Sequence, residues 1–173
     1  MYDMQVGIME QIENGKQTTD KVVQVLEAAR QSGIRVFFTR PLSLPKELMW
    51  VSQLRTAMAW QRVKSEEEVK PWFLRHAPGF HLTSEMNPRP SEAMFDKISM
   101  SAFEGTPLDM ALPDGGILAF AIVGIAMDIG IEPTVRHGAD LGCIPWLSKT
   151  PVDSVIAMPP SVHLPALNSR AMF

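Results

Sequence analysis

The sequence predicts an α/β protein, a three-layer α/β/α sandwich around a parallel sheet that is incomplete at both ends. Two apolar segments predict buried strands, residues 34–39 and residues 116–124. The second is apolar throughout, which is typical of a central strand in a parallel sheet covered by helices on both faces. Segments with helical spacing separate the strands, and strand–helix–strand units with right-handed crossovers build a sandwich of this kind.

Local signals justify the elements in the first half of the chain. A helix is predicted over residues 18–32, because Thr18 or Thr19 can cap its start and Gly33 can end it. The β-branched and aromatic run at 34–39 follows at once and reads as a strand. A second helix is predicted over 47–63 from one apolar stripe, which consists of Leu48, Val51, Leu54 and Met58.

The second half of the chain begins with a polar stretch with several prolines over residues 70–90. A connection of that length often covers a site. A short helix is predicted over 107–112, with Thr106 as its cap. After the strand at 116–124, a further helix is predicted over 132–141, and a strand is predicted to begin at Cys143.

Composition excludes several classes of protein. The 173 residues correspond to about one domain, 46% are hydrophobic and 20% charged, and the net charge of −3 implies no basic surface for nucleic acid. The longest apolar run, residues 116–127, is shorter than the roughly 20 residues that a membrane span needs. The N-terminus lacks the basic region of a signal peptide, and a single cysteine fits a reducing compartment. We therefore expect a cytoplasmic protein without membrane or nucleic-acid partners.

The chain changes character near residue 145. Residues 1–145 resemble an enzyme domain, whereas residues 146–173 form a proline-rich tail with few charges. Proline fixes φ and removes a hydrogen-bond donor, so the tail is expected to contain no long helix and no central strand. We expect at most a short strand over 143–147 before it.

Candidate site residues follow from the rule that open α/β sheets bind ligands beyond the carboxyl ends of their strands. Arg40 and residues 124–130 lie at such positions, and so does Asp3 if a strand precedes it; Lys97, within residues 95–99, is a fourth candidate. Each also has an ordinary reading: Asp3 as a terminal acid, Lys97 as a surface lysine, and the glycines as turn residues. Composition alone favours those ordinary readings, since most charged side chains are solvated.

The order of these segments is more specific. Asp3-Met4-Gln5, then Lys97 followed by Ser101-Ala102-Phe103, then residues 123–127 with Thr134, resembles the isochorismatase-like (cysteine hydrolase) superfamily. The resemblance covers residues 2–145 and implies a parallel-sheet hydrolase fold. It implies an active site of Asp3, Lys97 and the residue at the nucleophile position, four residues before Thr134. It also implies a non-proline cis peptide at Ile125–Ala126, which would line the substrate site.

Gly130 occupies the nucleophile position in this chain. The resemblance then implies no covalent thioester, and it points to the cysteine-less isochorismatases, which cleave a vinyl ether. In that reading Asp3 donates or accepts a proton, Lys97 orients it, and backbone N–H groups around Gly130 line an oxyanion-like pocket. Restoring a cysteine with Gly130→Cys is expected to create weak amide hydrolysis.

The remaining assignments are less specific. Arg40 is either a clamp for a substrate carboxylate or a surface arginine. His76 and His81 have no ligand spacing to acidic or cysteine partners, so neither a metal nor a cofactor is expected. The four tryptophans (Trp50, Trp60, Trp72 and Trp146) are expected to pack in cores and subunit contacts. We expect a small carboxylate-type substrate and a homo-oligomer.

Two departures from the family raise a second interpretation. Only Met1 and Tyr2 stand where the family has a full strand, so we interpret the N-terminus as truncated. The tail, read in a shifted frame from the codon of Pro145, permits the strand, turn and helix that the family continues with, so a frameshift is one interpretation. The alternative function is then an inactive or degraded member kept as an assembly partner. A nucleotide-binding module is disfavoured because no glycine-rich G-x-G-x-x-G follows a strand.

Overall fold

The computed structural model describes residues 1–147, which contain helices and parallel strands in alternation. The strands are β1 (Phe37–Pro41), β2 (Ala93–Lys97), β3 (Ala119–Ile122) and β4 (Ile144–Leu147). The helices are α1 (Val6–Met9), α2 (Gly15–Gln31), α3 (Val51–Gln61), α4 (Leu108–Asp114) and α5 (Glu132–Asp140). A π-helical turn, Met127–Ile131, leads into α5, and 3-10 turns lie at Lys46–Leu48, Glu66–Glu68, Pro78–Phe80 and Ser84–Met86.

The sheet consists of two parallel pairs joined by the N-terminal residues. β1 pairs with β2, and β3 pairs with β4. Tyr2 forms parallel bridges to Thr39 on one side and to Gly124 on the other. The order across the sheet is therefore β2, β1, Tyr2, β3, β4, and residues 1–3 take its central place.

Gly124 allows this close approach. Its φ is +141°, a conformation that side chains rarely adopt, and a Cβ there would lie 2.7 Å from the carbonyl carbon of Tyr2. Only a glycine can take that backbone so near another chain segment. The β3 exit and the N-terminal segment are consequently held in contact by their backbones.

Two hydrophobic clusters cover the two faces of the sheet. One cluster packs α2 against the sheet through Val22, Leu26 and Phe38. The other packs α4 and α5 against the opposite face through Leu108, Ile131 and Ile122. Residues that alternate along a strand point to opposite faces, and β1 accordingly contributes Phe38 to the first cluster and Phe37 to the second. This arrangement is the three-layer α/β/α sandwich that the sequence predicts.

The boundaries differ from the predicted ones in three places. β1 begins only at Phe37, and Ile34 is exposed. The apolar stripe predicted for the second helix does not enter the core, since α3 has no buried residue. β3 is shorter than predicted, with Ala119 and Ala121 exposed on the face that the described helices leave uncovered.

The C-terminal predictions are tested only at their start. β4 spans Ile144–Leu147, in agreement with the short strand expected there. The rest of the predicted proline-rich tail, residues 148–173, lies outside the described residues. Within residues 1–147, none of the helices has the length and apolar character to cross a membrane.

Candidate active site

Asp3 lies where the N-terminal segment leaves the sheet. Its backbone has φ +54°, in the left-handed region that aspartate tolerates better than most residues. The Asp3 N–H donates to the carbonyl of Thr39, and the Thr39 hydroxyl donates to Asp3 Oδ1 at 3.0 Å. Asp3 is only 6% exposed. The carboxylate is thus buried and held in one orientation.

Lys97 reaches the same carboxylate from the end of β2. β2 is adjacent to β1, which places Lys97 beside Pro41 and brings its side chain toward Asp3. Lys97 Nζ donates to Asp3 Oδ2 at 2.8 Å and to the carbonyl of Ser99 at 3.3 Å. The ammonium also lies 4.5 Å from the centre of the Tyr2 ring, in a cation–π contact. Lys97 is 3% exposed, so the pair is a buried ion pair.

Burial controls the protonation of Asp3. Desolvation raises the pKa of the carboxyl from 3.8 to about 6, against the opposing effects of Lys97 and the Thr39 hydroxyl. Burial also raises the pKa of the Tyr2 phenol, and the nearby Asp3 charge adds to that effect. Asp3 can therefore exchange a proton near neutral pH, whereas Tyr2 stays protonated.

Tyr2 fills the space beside Gly130. A Cβ on Gly130 would lie 2.6 Å from two ring carbons of Tyr2 and closer still to its hydroxyl oxygen. The phenol itself is 2% exposed, and its hydroxyl donates to the carbonyl of Met100. A cysteine at position 130 would overlap this ring. This overlap argues against the expectation that Gly130→Cys creates an amidase, because Tyr2 occupies the volume that the thiol needs, and the expectation stays a prediction.

The backbone around Gly130 is also engaged within its own turn. The N–H groups of Gly130 and Ile131 both donate to the carbonyl of Ala126, each at 3.1 Å. The sequence predicts that these N–H groups line an oxyanion-like pocket, and in the structure they bind the Ala126 carbonyl instead. Thr134 fixes the turn from below, since its hydroxyl donates to the Gly130 carbonyl at 2.7 Å and accepts from the Ala102 N–H at 2.9 Å.

Asp3, Lys97 and Gly130 line one cavity of about 590 Å³, which lies between the sheet edge and α3. Ile125 and Ala126, the predicted substrate-binding pair, line it too, and the peptide between them is cis. Three tryptophans line the same cavity: Trp50, Trp60 and Trp72. They are 41%, 47% and 37% exposed, and Trp146 is 60% exposed. The expected core packing of the tryptophans is therefore wrong: the first three face the cavity from α3 and its flanking loops, and Trp146 is exposed on β4. The subunit contacts expected of them stay a prediction.

Arg40 does not reach the cavity. In the register of β1 and β2 it stands beside Asp96, and its Nη2 lies 2.7 Å from Asp96 Oδ1. Its guanidinium also stacks over the Phe80 ring at 4.3 Å, and Arg75 binds the other oxygen of Asp96. The structure brings Arg40 into a partly buried ion-pair network with Asp96 and not to the predicted carboxylate clamp.

The other chemistry-bearing side chains lie apart from this site. Within the described part of the chain, no three His, Cys, Asp or Glu side chains are grouped closely enough to hold a metal ion. Cys143 is half-buried at the start of β4 and is not among the residues that line the cavity. Sequence reasoning missed Tyr2 as a site residue. Two features of the sequence could have identified Tyr2: it directly precedes Asp3, and the nucleophile position holds a glycine, which leaves room for a large side chain nearby.

Comparisons with known proteins place this arrangement in a family. An isochorismatase domain model matches residues 1–167. The match includes most of the predicted tail, and the predicted boundary between domain and tail at residue 145 stays a prediction. Ureidoacrylate amidohydrolase RutB of Caulobacter segnis is 29% identical over 122 residues, which are 66% of this chain and 50% of that protein. The chain thus spans half the length of this curated relative.

Two solved structures show the same fold. N-carbamoylsarcosine amidase from Thermoplasma acidophilum superposes with a TM-score of 0.72 at 19% identity, covering 92% of this chain and 83% of that one. An isochorismatase from Pseudomonas putida superposes with a TM-score of 0.64 at 20% identity, covering 84% and 64% respectively. With the domain match over nearly the whole sequence, these likenesses lead to one conclusion: the chain belongs to the isochorismatase domain family.

Proposed function

We propose that this chain is an isochorismatase-family hydrolase that acts on a small molecule by acid–base chemistry, without a covalent thioester. One observation carries the proposal: Asp3, whose pKa burial raises to about 6, lies with Lys97 at the inner end of the cavity. No cysteine lines that cavity within the described chain. A carboxyl that titrates near neutral pH suits a general acid, and general acids contribute about 10²–10⁴-fold to rate.

The proposed reaction is the hydrolysis of a vinyl ether. Asp3 in its acid form transfers a proton to the terminal vinyl carbon, which leaves an oxocarbenium ion. Water adds to the cationic carbon, and the proton that it loses returns to the Asp3 carboxylate. The resulting hemiacetal or hemiketal breaks into a carbonyl compound and an alcohol. At pH 7 about one tenth of a carboxyl with a pKa of 6 is protonated, so the acid form is available.

Lys97 positions the acid. Its ammonium binds Asp3 Oδ2, while the Thr39 hydroxyl binds Oδ1, and the two contacts fix the carboxyl plane. Lys97 also opposes the effect of burial, so the pKa of Asp3 is lower than burial alone would make it. The predicted carboxylate-type substrate stays a prediction, as do the cytoplasmic location and the homo-oligomer.

The alternative is a non-catalytic family member that serves as an assembly partner. Turnover distinguishes the two functions. We would assay the purified chain with isochorismate and with naphthyl vinyl ether, whose product naphthol is fluorescent, and with nicotinamide as an amide. The proposal expects vinyl ether hydrolysis, no amide hydrolysis, and a loss of about 10²-fold or more in Asp3→Asn. Failure of both vinyl ethers would favour the non-catalytic alternative.

The control variant for this assay is Trp146→Ala. Trp146 is exposed on β4 and does not line the cavity, so its loss should leave turnover unchanged. Equal activity in wild type and Asp3→Asn would show that the hydrolysis does not use the proposed acid, and it would contradict the mechanism even if turnover were observed.

A further inference from the structure

The cavity above Asp3 is larger than a single small ring requires. Its volume of about 590 Å³ is in the range of pockets that hold drug-sized ligands, which is roughly 300–1,000 Å³. Apart from the Asp3–Lys97 pair, its lining among the described residues carries no charged side chain. A ligand that fills it would therefore be mostly apolar.

The outer wall of the cavity is aromatic. Trp50 caps the start of α3, Trp60 lies near its end, and Trp72 follows in the next loop. All three are partly exposed although tryptophan is among the most apolar of side chains, and Trp72 packs edge-on against Phe73. Exposed aromatic surface marks an interaction site, and its position here around a concave cavity favours a ligand that enters the cavity. Flat ring faces of this kind bind other flat apolar groups by stacking.

Hydrogen bonds fix this wall in place without a ligand. We define the cover segment as residues 46–73. The side-chain amide of Gln61 both donates to the carbonyl of Lys70 and accepts from its N–H, at 2.8 and 2.9 Å. Ser43 and Phe73 exchange two further hydrogen bonds, which tie the end of the segment to the chain just after β1. The wall is preformed, so little ordering is needed on binding.

The polar groups of the cavity argue against an anionic ligand. Lys97 is its one cation among the described residues, and Asp3 already binds that ammonium at 2.8 Å. Arg40, the other candidate for a carboxylate, binds Asp96 outside the cavity. Gln53 lines the cavity on α3, and its side-chain oxygen is buried without a hydrogen-bond partner. An unpaired buried acceptor is costly, and a ligand N–H or O–H would satisfy it.

We infer that the cavity selects a neutral substrate that carries a bulky apolar group of about two fused rings and a hydrogen-bond donor. The inference rests on the proposed function, because it takes this cavity as the substrate site. Trp50, Trp60 and Trp72 hold the apolar group, Gln53 accepts from the donor, and Asp3 and Lys97 meet the bond to be cleaved. The small carboxylate-type substrate that the family resemblance implies would leave most of the cavity unfilled.

Binding of three unreactive probes tests this inference by isothermal titration calorimetry. Naphthamide is neutral and has two fused rings, benzamide has one ring, and naphthoate has the same rings with a carboxylate. We expect naphthamide to bind with one-to-one stoichiometry and about tenfold or more tighter than benzamide, since the second ring is buried. We expect naphthoate to bind about tenfold or more weakly than naphthamide, because its charge finds no unpaired cation and it donates nothing to Gln53.

Variants locate the binding. Trp60→Ala should weaken naphthamide by about fivefold or more while affecting benzamide less, and Trp60→Phe should lie between, because it keeps a ring. Gln53→Leu should weaken both amides by a similar factor. Trp146→Ala is the matched control, since it removes an exposed tryptophan far from the cavity, and should change nothing. Thermal denaturation of each variant checks that it is folded.

Three results would overturn the inference: equal affinity for naphthamide and benzamide, tighter binding of naphthoate, or the same loss in Trp146→Ala as in Trp60→Ala. Its failure can be told apart from failure of the proposed function, because binding is read without turnover. Asp3→Asn is expected to bind naphthamide and yet fail to hydrolyse vinyl ethers. A protein that binds naphthamide as expected but shows no Asp3-dependent turnover would keep the substrate class and lose the mechanism.

Discussion

Replacement of Gly130 by alanine is expected to destabilise the protein because Tyr2 leaves no room for a methyl group. The added Cβ would lie 2.6 Å from ring carbons Cε1 and Cζ of Tyr2, whereas non-bonded carbons prefer about 3.5–4.0 Å. The ring cannot swing into solvent, since Tyr2 is 2% exposed and its backbone bridges both neighbouring strands. The overlap of about 1 Å must be relieved by movement of the sheet or of the turn.

Overpacking of this kind costs about 1–3 kcal/mol in a close-packed interior. For a chain of this size, each kcal/mol lowers the melting temperature by about 2–4 °C, so a decrease of roughly 2–12 °C is expected. The backbone conformation of Gly130 suits alanine, because its φ is not positive. Alanine also lowers the entropy of the unfolded chain, which would offset up to about 1 kcal/mol of the cost of the clash. The clash therefore determines the sign of the change.

A double-mutant cycle with Tyr2→Val assigns the cost to the ring. Tyr2→Val alone is expected to cost about 2–5 kcal/mol, since it leaves a cavity. In that background Gly130→Ala should become neutral or stabilising, which corresponds to a coupling energy of about 1–3 kcal/mol. Gly7→Ala is the matched control, because its Cβ would meet the backbone of Gly79 at 3.1 Å, outside the cluster that contains Tyr2. Its cost should be the same in both backgrounds.

Urea denaturation followed by circular dichroism measures all of these variants. An unchanged stability of Gly130→Ala, or a cost that persists undiminished in Tyr2→Val, would refute the argument that Tyr2 replaces a side chain at position 130. The same cycle with cysteine extends the argument to chemistry: a thiol at position 130 should react with iodoacetamide only after Tyr2 is shortened.

Four further predictions follow from the site. The Asp3 pKa is raised from 3.8 to about 6 in the folded state, so the folded protein binds the proton more tightly between those values. The free energy of unfolding should fall as pH rises through that window, and hydrolysis should fall about tenfold per pH unit above 6. Asp3→Asn should remove this contribution, while the Met1 ammonium, whose pKa burial lowers to about 6, keeps its own; a rate that stays constant from pH 6 to 8 would argue against Asp3 as the acid. Lys97→Met breaks a buried ion pair and is expected to lower the free energy of unfolding by about 3–5 kcal/mol. It should also shift the alkaline limb of the rate profile to higher pH, whereas Lys97→Arg should shift that limb less. An unshifted limb would show that Lys97 does not act on Asp3. Alkylation of Cys143 by iodoacetamide, verified by mass spectrometry, should leave turnover intact, and inactivation in step with alkylation would make this thiol part of the mechanism. Thr134→Val keeps the side-chain shape but leaves the Ala102 N–H without its partner, so a loss of about 1–3 kcal/mol is expected in denaturation, and an unchanged midpoint would contradict the role given to that hydroxyl.

The layered fold follows from sequence patterns because those patterns report which face of an element is buried. The apolar run that contains β3 and the helical spacing of α2 and α5 each identify their elements to within a few residues. α3 is the instructive exception. Its apolar stripe predicts a buried helix face, yet no residue of that stripe is buried and none lines the cavity, which Gln53 and Trp60 face from another side of the helix. A periodic pattern alone does not show what packs against the apolar face.

Some residues of the candidate site can be predicted from the sequence, whereas the contacts between distant segments cannot. Asp3 and Lys97 are identified by their motifs through the family resemblance, whereas the strand that ends at Lys97 is not predicted and is seen only in the structure. The partner of Arg40 depends on the register between β1 and β2, which are separated by about fifty residues of chain, and Asp96 becomes its neighbour only in that register. Tyr2 and Gly130 likewise meet only through tertiary packing. Such complementarity of shape across distant segments has no signature in one sequence.

The placement of Tyr2 between the two strand pairs has a consequence for how the protein loses activity. The N–H of Tyr2 donates to the carbonyl of Val123 at 2.7 Å, and its carbonyl accepts from the N–H of Ile125 at 3.1 Å. On the other side, Asp3 donates to Thr39 and Thr39 to Met1. The proposed acid thus sits on the hydrogen bonds that hold the halves of the sheet together. We expect local fraying of residues 1–3 to separate the two strand pairs and to displace Asp3 at the same time. Amide hydrogens at this seam should therefore report, by their exchange with deuterium, on the integrity of the proposed site.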